Sequence, residues 1–373
     1  MNIAILGYGV VGKSVELLCE ENNINVSYIL MRNQNKVIKP NMTASVDDIL
    51  NDKDVDCVVE CMGGIEPSYT YVSMAIKNGK HVVSSNKKLL ADKLIELADL
   101  AIENKVSLLF SSACGGGIPW IKNLAEIKKN DSIIGFKGIM NGTSNYILDM
   151  MTTNNCSFDE ALKKAQGLGY AEADPSDDID GIDTANKVIL SAAIAFDYKF
   201  QLDDMYIKGI RYISEKELTY CNKNNLSCVL LGKGIKNNDE TYTLSVIPTF
   251  VKKEKVLGNI HLNNNCFILN SKNLNELTFI GQGAGGIPTA SNVIRDINSL
   301  TSPYVLALKG TSTNTIDISK NHYYIRTSSV IPSDYIEDKI DENIYISKPI
   351  DLKTLKEIIK DDEIVFIAEV END

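Results

Sequence analysis

"MNIAILGYGVVGKSVELLCEE", residues 1–21, decides the fold. A short apolar run breaks at Gly7-x-Gly9-x-x-Gly12 and gives way to a stretch with helical spacing. Strand, glycine turn and helix in that order form a dinucleotide-binding fingerprint. The glycines make a tight turn, let a pyrophosphate approach the backbone and bring the helix close to the strand. The helix N-terminus then offers unpaired N–H groups and a positive dipole end to the phosphates. GxGxxG alone is weak, and a structural glycine turn is the alternative. The strand–turn–helix context favours a nucleotide site whose cradle is Gly7, Tyr8, Gly9, Val10, Val11 and Gly12.

Outward from this stretch the same rhythm repeats to about residue 110. "NVSYILMR", "VDCVVECMG", "KHVVSSN" and "VSLLFSSA" read as strands, separated by helical patterns such as "PSYTYVSMAIKNG" and "KLLADKLIELADLAIENK". Apolar strands alternating with helices predict a parallel sheet covered on both faces, hence an α/β, Rossmann-type dinucleotide-binding domain over 1–130. An NAD site usually places Asp or Glu at the end of the second strand, for the ribose 2′-OH. Here "ILMRN" puts Arg32 there. A guanidinium suits a 2′-phosphate, so NADP is preferred and NAD remains the alternative. An exposed arginine at a strand end is the plainer explanation.

From Cys114 the texture changes. "CGGGIPWIKNLAEIKKN" is a glycine turn, a proline and a helix, and "SIIGFKGIMNGTSNYILDMM" reads as strand, polar turn and helix. Residues 200–280 hold several strand-like runs, predicting an α+β domain over 131–289 with a mixed or antiparallel sheet. "GQGAGGIPTASNVIRDINSL" (281–300) repeats the glycine–proline–helix logic, and 290–315 is expected to return to the first domain. Residues 316–373 are more polar, with two strand candidates and one helix.

The 373 residues are enough for two or three cores. Thirty-eight Lys and Arg against 49 Asp and Glu give a net charge of −11, which argues against nucleic acid and anionic membranes as partners. No apolar run reaches the ~20 residues of a spanning helix, and the N-terminus lacks the basic region of a signal peptide. Eight cysteines without a CxxC pair read as free thiols in a cytoplasmic protein.

"GYAEADPSDDIDGIDTANK" (169–187) packs six carboxylates into nineteen residues. As an EF-hand with Gly181 at position six, it would have Ser176 at position one and Lys187 at position twelve, where a bidentate Glu is needed. It fails at both ends. On a helix, Asp183 and Lys187 are i and i+4 and share a face, while Ile182, Ile189, Ala193 and Phe196 project elsewhere and can bury it. A surface pair of this kind is worth only ~0.3–0.5 kcal/mol. Asp174 and Asp177 read as a solvated turn around Pro175, with Ser176 available to cap the helix.

"VVSSNKKLLAD" (82–92), "CGGGIPWIKNL" (114–124), "GIMNGTSNYIL" (138–148), the acidic stretch and "GQGAGGIPTASNVIRDI" (281–297) occur together in an order that resembles the homoserine dehydrogenases over roughly residues 1–315. The resemblance implies reversible NAD(P)H-dependent reduction of L-aspartate 4-semialdehyde to L-homoserine, toward threonine, methionine and isoleucine. By position it makes Lys187 the proton donor. Glu172 and Asp183 would hold the substrate ammonium, Asp178 would support them, and Lys87 would be a second active-site lysine near the nicotinamide. Gly283 would pack on the cofactor side. The carbonyls of Ser111, Cys114, Gly116 and Ile118 would form a sodium or other monovalent-cation site, although the family commonly has Glu where Ser111 stands. It also makes 131–289 the substrate-binding, catalytic and dimerisation domain and, with the strand-rich character of that region, implies a homodimer through a shared sheet. Many members end in a regulatory ACT domain; residues 316–373 lack its Asp-x-Pro-Gly turn and read as a degenerate, ACT-like βαβ remnant.

Two other classes compete. One is another Rossmann oxidoreductase acting on an amino-acid semialdehyde through a Cys114 nucleophile. The other is a non-catalytic NADPH-sensing protein on the same fold.

Overall fold

The computed structural model describes residues 1–237, 241–301, 306–312, 319–359 and 366–371. Parts of two expected segments lie outside them: 302–305 and 313–315 of the return, and 316–318, 360–365 and 372–373 of the C-terminal extension. The chain divides into two compact units, one of Met1–Asp131, Ile189–Phe200 and Gly281–Ser312, the other of Ser132–Val188, Gln201–Ile280 and Thr313–Asp373.

In the first unit, β1 (Asn2–Leu6), β2 (Asn25–Leu30), β3 (Met42–Thr43), β4 (Cys57–Glu60), β5 (His81–Ser84) and β6 (Leu108–Leu109) form one sheet in the order β3-β2-β1-β4-β5-β6. Every pairing is parallel. Ile3–Leu6, Cys57–Val59 and Val82–Val83 are buried, as helices on both faces require. The order reverses between β1 and β4, so the crevice beyond the carboxyl ends of these strands is the place where such sheets take ligands. β6 is shorter than "VSLLFSSA" suggests. The Ser111 N–H leaves the ladder and donates to the Asp296 carboxylate at 2.7 Å, and Ser111–Ala113 turn as a 3-10 helix.

The second unit is built on a ten-stranded mixed sheet. It comprises β7 (Ile133–Ile139), β8 (Tyr206–Ile207), β9 (Leu226–Lys236), β10 (Tyr242–Lys252), β11 (Asn264–Ser271), β12 (Asn275–Gln282), β13 (His322–Arg326), β14 (Ile336–Asp341), β15 (Ile344–Ser347) and β16 (Phe366–Val370). The order is β12-β11-β7-β9-β10-β16-β13-β15-β14, with β8 paired to β10. β7, β9, β10 and β11 pair antiparallel, and β10 pairs parallel with β16 and β8.

Among the described residues, 316–373 therefore contribute four strands rather than two, and three of them precede the helix Leu352–Ile358. Leu352 and Leu355 pack with Tyr323, Ile325, Ile247 and Ile367, which binds the segment to the second unit's core. β14 escaped the sequence pattern because "IEDKID" is a charged edge strand, exposed along most of its length, and an edge needs no apolar alternation.

The helix Ile182–Phe196 also departs from expectation. It is buried on every side from Asp183 to Phe196 rather than along one stripe. Ser176 does not act as a cap. It opens the short helix Ser176–Ile179, and its N–H and hydroxyl both donate to Asp174 Oδ1, at 3.1 and 2.6 Å.

Candidate active site

Within the first unit, the turn after β1 is shaped by two contacts. Gly7 has φ +94°, and a Cβ on Gly12 would lie 2.1 Å from the Gly7 carbonyl oxygen. Gly9 faces open space, and the helix Val10–Glu21 that it precedes has no side-chain cap and no acidic residue in its first turn. That end is left for an anion. A groove of about 760 Å³ adjoins it, lined among others by Gly7, Tyr8, Lys13, Arg32, Lys36 and Met62. Val10 is 73% exposed at its side. Arg32 and Lys36 are exposed, so the groove carries cations where β2 ends. The donor set fits a dinucleotide phosphate.

Tyr8 is held by a tight hydrogen bond from its hydroxyl to Glu16, and Lys39 lies 2.8 Å from the same carboxylate. Lys87 begins the helix Lys87–Glu103, whose Asn86 cap accepts from Leu89 N at 3.2 Å. Glu60, fully buried at the end of β4, accepts from the N–H groups of Met62 and Gly63, from Ser84 Oγ and from Asn86 Nδ2. It ties the turns after β4 and β5 together and so fixes the start of Lys87's helix. Sequence reasoning missed it, since a carboxylate ending an apolar strand carries no motif.

Within the second unit, four elements converge: the end of β7, the helix Gly142–Asn154, the helix Ser176–Ile179 and the first turn of Ile182–Phe196. Lys187 Nζ lies 2.8 Å from Asp183 Oδ2, with side chains 8% and 3% exposed, and donates to the Met140 carbonyl. Asn141 Nδ2 donates to Asp178 Oδ1 at 2.6 Å and to Asp183 Oδ2 at 2.8 Å. Its Oδ1 caps the helix by accepting from Ser144 N at 2.7 Å, which fixes which way the amide faces. The Asp183–Lys187 pair is thus a buried, hydrogen-bonded ion pair and not a surface one. Asn141 was within a quoted motif but unassigned; its place before a helical run was the available signal.

Not every predicted residue joins this network. Glu172 is exposed, and its main-chain carbonyl accepts from Gln166 at 3.1 Å. Among the described hydrogen bonds its carboxylate is not linked to Asp178, Asp183 or Lys187. Asp180 pairs with Arg211, Oδ1 to Nε at 2.6 Å.

Ser111, Cys114, Gly116 and Ile118 lie in the turn between β6 and the helix Trp120–Lys128. Cys114 is fully buried, with Sγ 3.6 Å from Ser191 Oγ. Gly116 packs against Gly283, whose carbonyl a Cβ at 116 would meet at 2.6 Å. The Gly116 and Ile118 carbonyls both accept from Asn292 Nδ2.

All eight cysteines are free; burial pushes the thiols of Cys19, Cys61 and Cys266 up to about 12. Among the described residues no helix is long and apolar enough to cross a membrane.

Comparison with known proteins gives one family. Residues 7–111 match the model of the homoserine dehydrogenase NAD-binding domain, and residues 119–297 that of homoserine dehydrogenase. The chain is 35% identical to the homoserine dehydrogenase of Lactococcus lactis, over 90% of this chain and 81% of that protein. It is 36% identical to that of Synechocystis, over 80% and 72%. A homoserine dehydrogenase structure from Thiobacillus denitrificans superposes with a TM-score of 0.91 at 29% identity, covering 100% of this chain and 98% of that one. A hyperthermophilic archaeal homoserine dehydrogenase solved in complex with NADPH gives 0.71 at 25% identity, over 82% and 99%.

Proposed function

The chain belongs to the homoserine dehydrogenase family, and on that premise we propose that it reduces L-aspartate 4-semialdehyde to L-homoserine with NADPH as the preferred reductant. The observation that carries the assignment of roles is the buried Asp183–Lys187 pair, wired to Asp178 through Asn141. A bound nicotinamide supplies the hydride. As negative charge develops on the aldehyde oxygen, the Lys187 ammonium donates a proton to it and is left as the neutral amine beside Asp183. Solvent then restores the proton. Asp183 and Glu172 hold the substrate ammonium, and Asp178 acts through Asn141 to keep Asp183 in place. Glu172, exposed in this structure, does so only by turning its carboxylate inward. Lys87 is the second active-site lysine of this proposal.

Gly7–Gly12 hold the pyrophosphate, Arg32 with neighbouring Lys36 receives the 2′-phosphate, and Gly283 backs the cofactor through Gly116. The NADP preference is supported by the cationic lining of the groove where β2 ends. A cytoplasmic location and a role in threonine, methionine and isoleucine synthesis complete the reading. A homodimer is supported by the edge strand β12, where Ile280 is 55% exposed and Leu277 and Phe279 are half-buried.

The test is turnover of homoserine with NADP⁺ or NAD⁺ at alkaline pH, followed by nicotinamide absorbance. Lys187→Ala should abolish turnover while NADPH still binds. Near-normal turnover in that variant would remove Lys187 from the proton-donor role. Light scattering reads the dimer.

A further inference from the structure

The turn 111–118 is where the family resemblance calls for a monovalent cation on four carbonyls, and the donor set here does not fit one. Asn292 is fully buried, one turn before Asp296 on the helix Gly286–Asn298. Its Nδ2 donates to the Gly116 carbonyl and, at 2.9 Å, to the Ile118 carbonyl. A side-chain amide nitrogen has two hydrogens, and both are spent.

The orientation of the amide is fixed by a third group. Asn292 Oδ1 accepts from Arg295 Nη1, so the flipped amide would set an NH₂ against a guanidinium and an oxygen against two carbonyls. Acceptors in the turn have main-chain donors too. Ile118 O takes the Trp120 N–H at 2.8 Å besides the Asn292 amide, which uses both its lone pairs, and Ser111 O accepts from the Cys114 N–H at 3.4 Å. Asp296 holds the other end of the turn, accepting from Ser111 N and Oγ at 2.7 Å each. A cation entering this turn would have to displace neutral donors that are already in place.

We propose that the Asn292 amide takes the place of the monovalent cation in this chain, so that the turn 111–118 is held without one. The carbonyl dipoles meet N–H donors in place of a metal charge. This pins the turn to the helix Gly286–Asn298 whatever the alkali-ion content of the medium. Asn292 is a positioning residue, acting through the Gly116 and Ile118 carbonyls.

The experiment is a thermal-unfolding series on the full chain in sodium, potassium and choline chlorides at equal ionic strength, with and without NADPH. Wild type should show the same Tm in all three, and its NADPH affinity should not depend on the choice of cation. A Tm raised by about 2–4 °C or more in sodium or potassium over choline, the mark of a cation bound well above its Kd, overturns the proposal. Asn292→Ala frees the two carbonyls and should acquire that selective rise, whereas a folded variant indifferent to the cation overturns it as well. A rubidium soak of wild-type crystals stands independently of the variant's folding: anomalous density among the four carbonyls overturns the proposal, and none there supports it. These readouts do not need turnover, so they remain informative if the assignment of substrate roles fails.

Discussion

The Asp183–Lys187 pair can be tested by a double-mutant cycle in stability. At 2.8 Å and an effective dielectric near 20, the two charges attract by about 6 kcal/mol before desolvation takes most of it back. What survives as a measurable quantity is the cost of orphaning one partner. Lys187→Ala leaves a carboxylate in a site 3% exposed with the Asn141 amide still on it; Asp183→Ala leaves an ammonium 8% exposed against the Met140 carbonyl. Each single variant should lose about 3–5 kcal/mol, some 6–20 °C in Tm. Asp183→Ala with Lys187→Ala removes both charges together, so its loss should fall short of the sum by about 2–3 kcal/mol. Far-UV circular dichroism on heating and urea titration measure it. Turnover cannot, because each single variant is expected to be inactive already. Losses that add to within ~0.5 kcal/mol would refute the buried, mutually dependent pair and return the residues to a weakly coupled one.

Three further outcomes follow from single positions. Arg32→Ser should weaken NADPH by ~10–100-fold in kcat/KM and leave NADH nearly unchanged, since only the 2′-phosphate loses a charge-assisted partner; equal losses would reject Arg32 as the discriminator. Cys114→Ala should keep turnover without added phosphate, because a fully buried thiol beside Ser191 is out of reach of substrate, and loss of activity in a folded variant would revive the thiol nucleophile. His81 is held below the usual histidine range by burial, and its Nδ1 accepts from Ser107 N at 3.0 Å, so the folded state keeps the neutral ring. With the folded value lowered, the unfolded chain binds the proton first. Its stability contribution is present above about pH 6.5 and is lost as pH falls toward the folded value. His81→Asn should flatten that loss, read from the single tryptophan, Trp120, which lies in the same unit; an unchanged slope would refute it.

The parallel sheet was legible because its signals are local. Asn2–Gly12 carries strand, turn and helix in eleven residues, and buried parallel strands announce themselves as apolar runs. β14 and the short β6 were not, and for opposite reasons: one strand pairs without burying a face, the other loses its ladder to a carboxylate 185 residues away. The same distinction runs through the sites. Arg32 stands out by its charge at a strand end. Spacing puts Asp183 and Lys187 on one helix face, but it was the family resemblance that gave them roles, and the sequence understated them by treating the helix as half-exposed.

What it could not show is the work of the neutral amides. Asn141 and Asn292 each make two side-chain N–H bonds to separate acceptors, while a third partner, Ser144 N or Arg295, dictates which end of the amide faces them. In sequence either is one more polar residue at a helix. The third partner is three residues along the chain in each case, but only the fold brings the distant acceptors, and without them whether the amide meets a carboxylate or a carbonyl as a donor is undetermined. The cycle on Asp183 and Lys187 measures the ion pair that the Asn141 amide braces, and the cation series on Asn292 tests an amide acting by itself. At Asp183 an oriented amide donates beside the lysine counter-ion, and at the Gly116 and Ile118 carbonyls it donates without one; both contacts are buried and should depend far less on salt than an exposed ion pair.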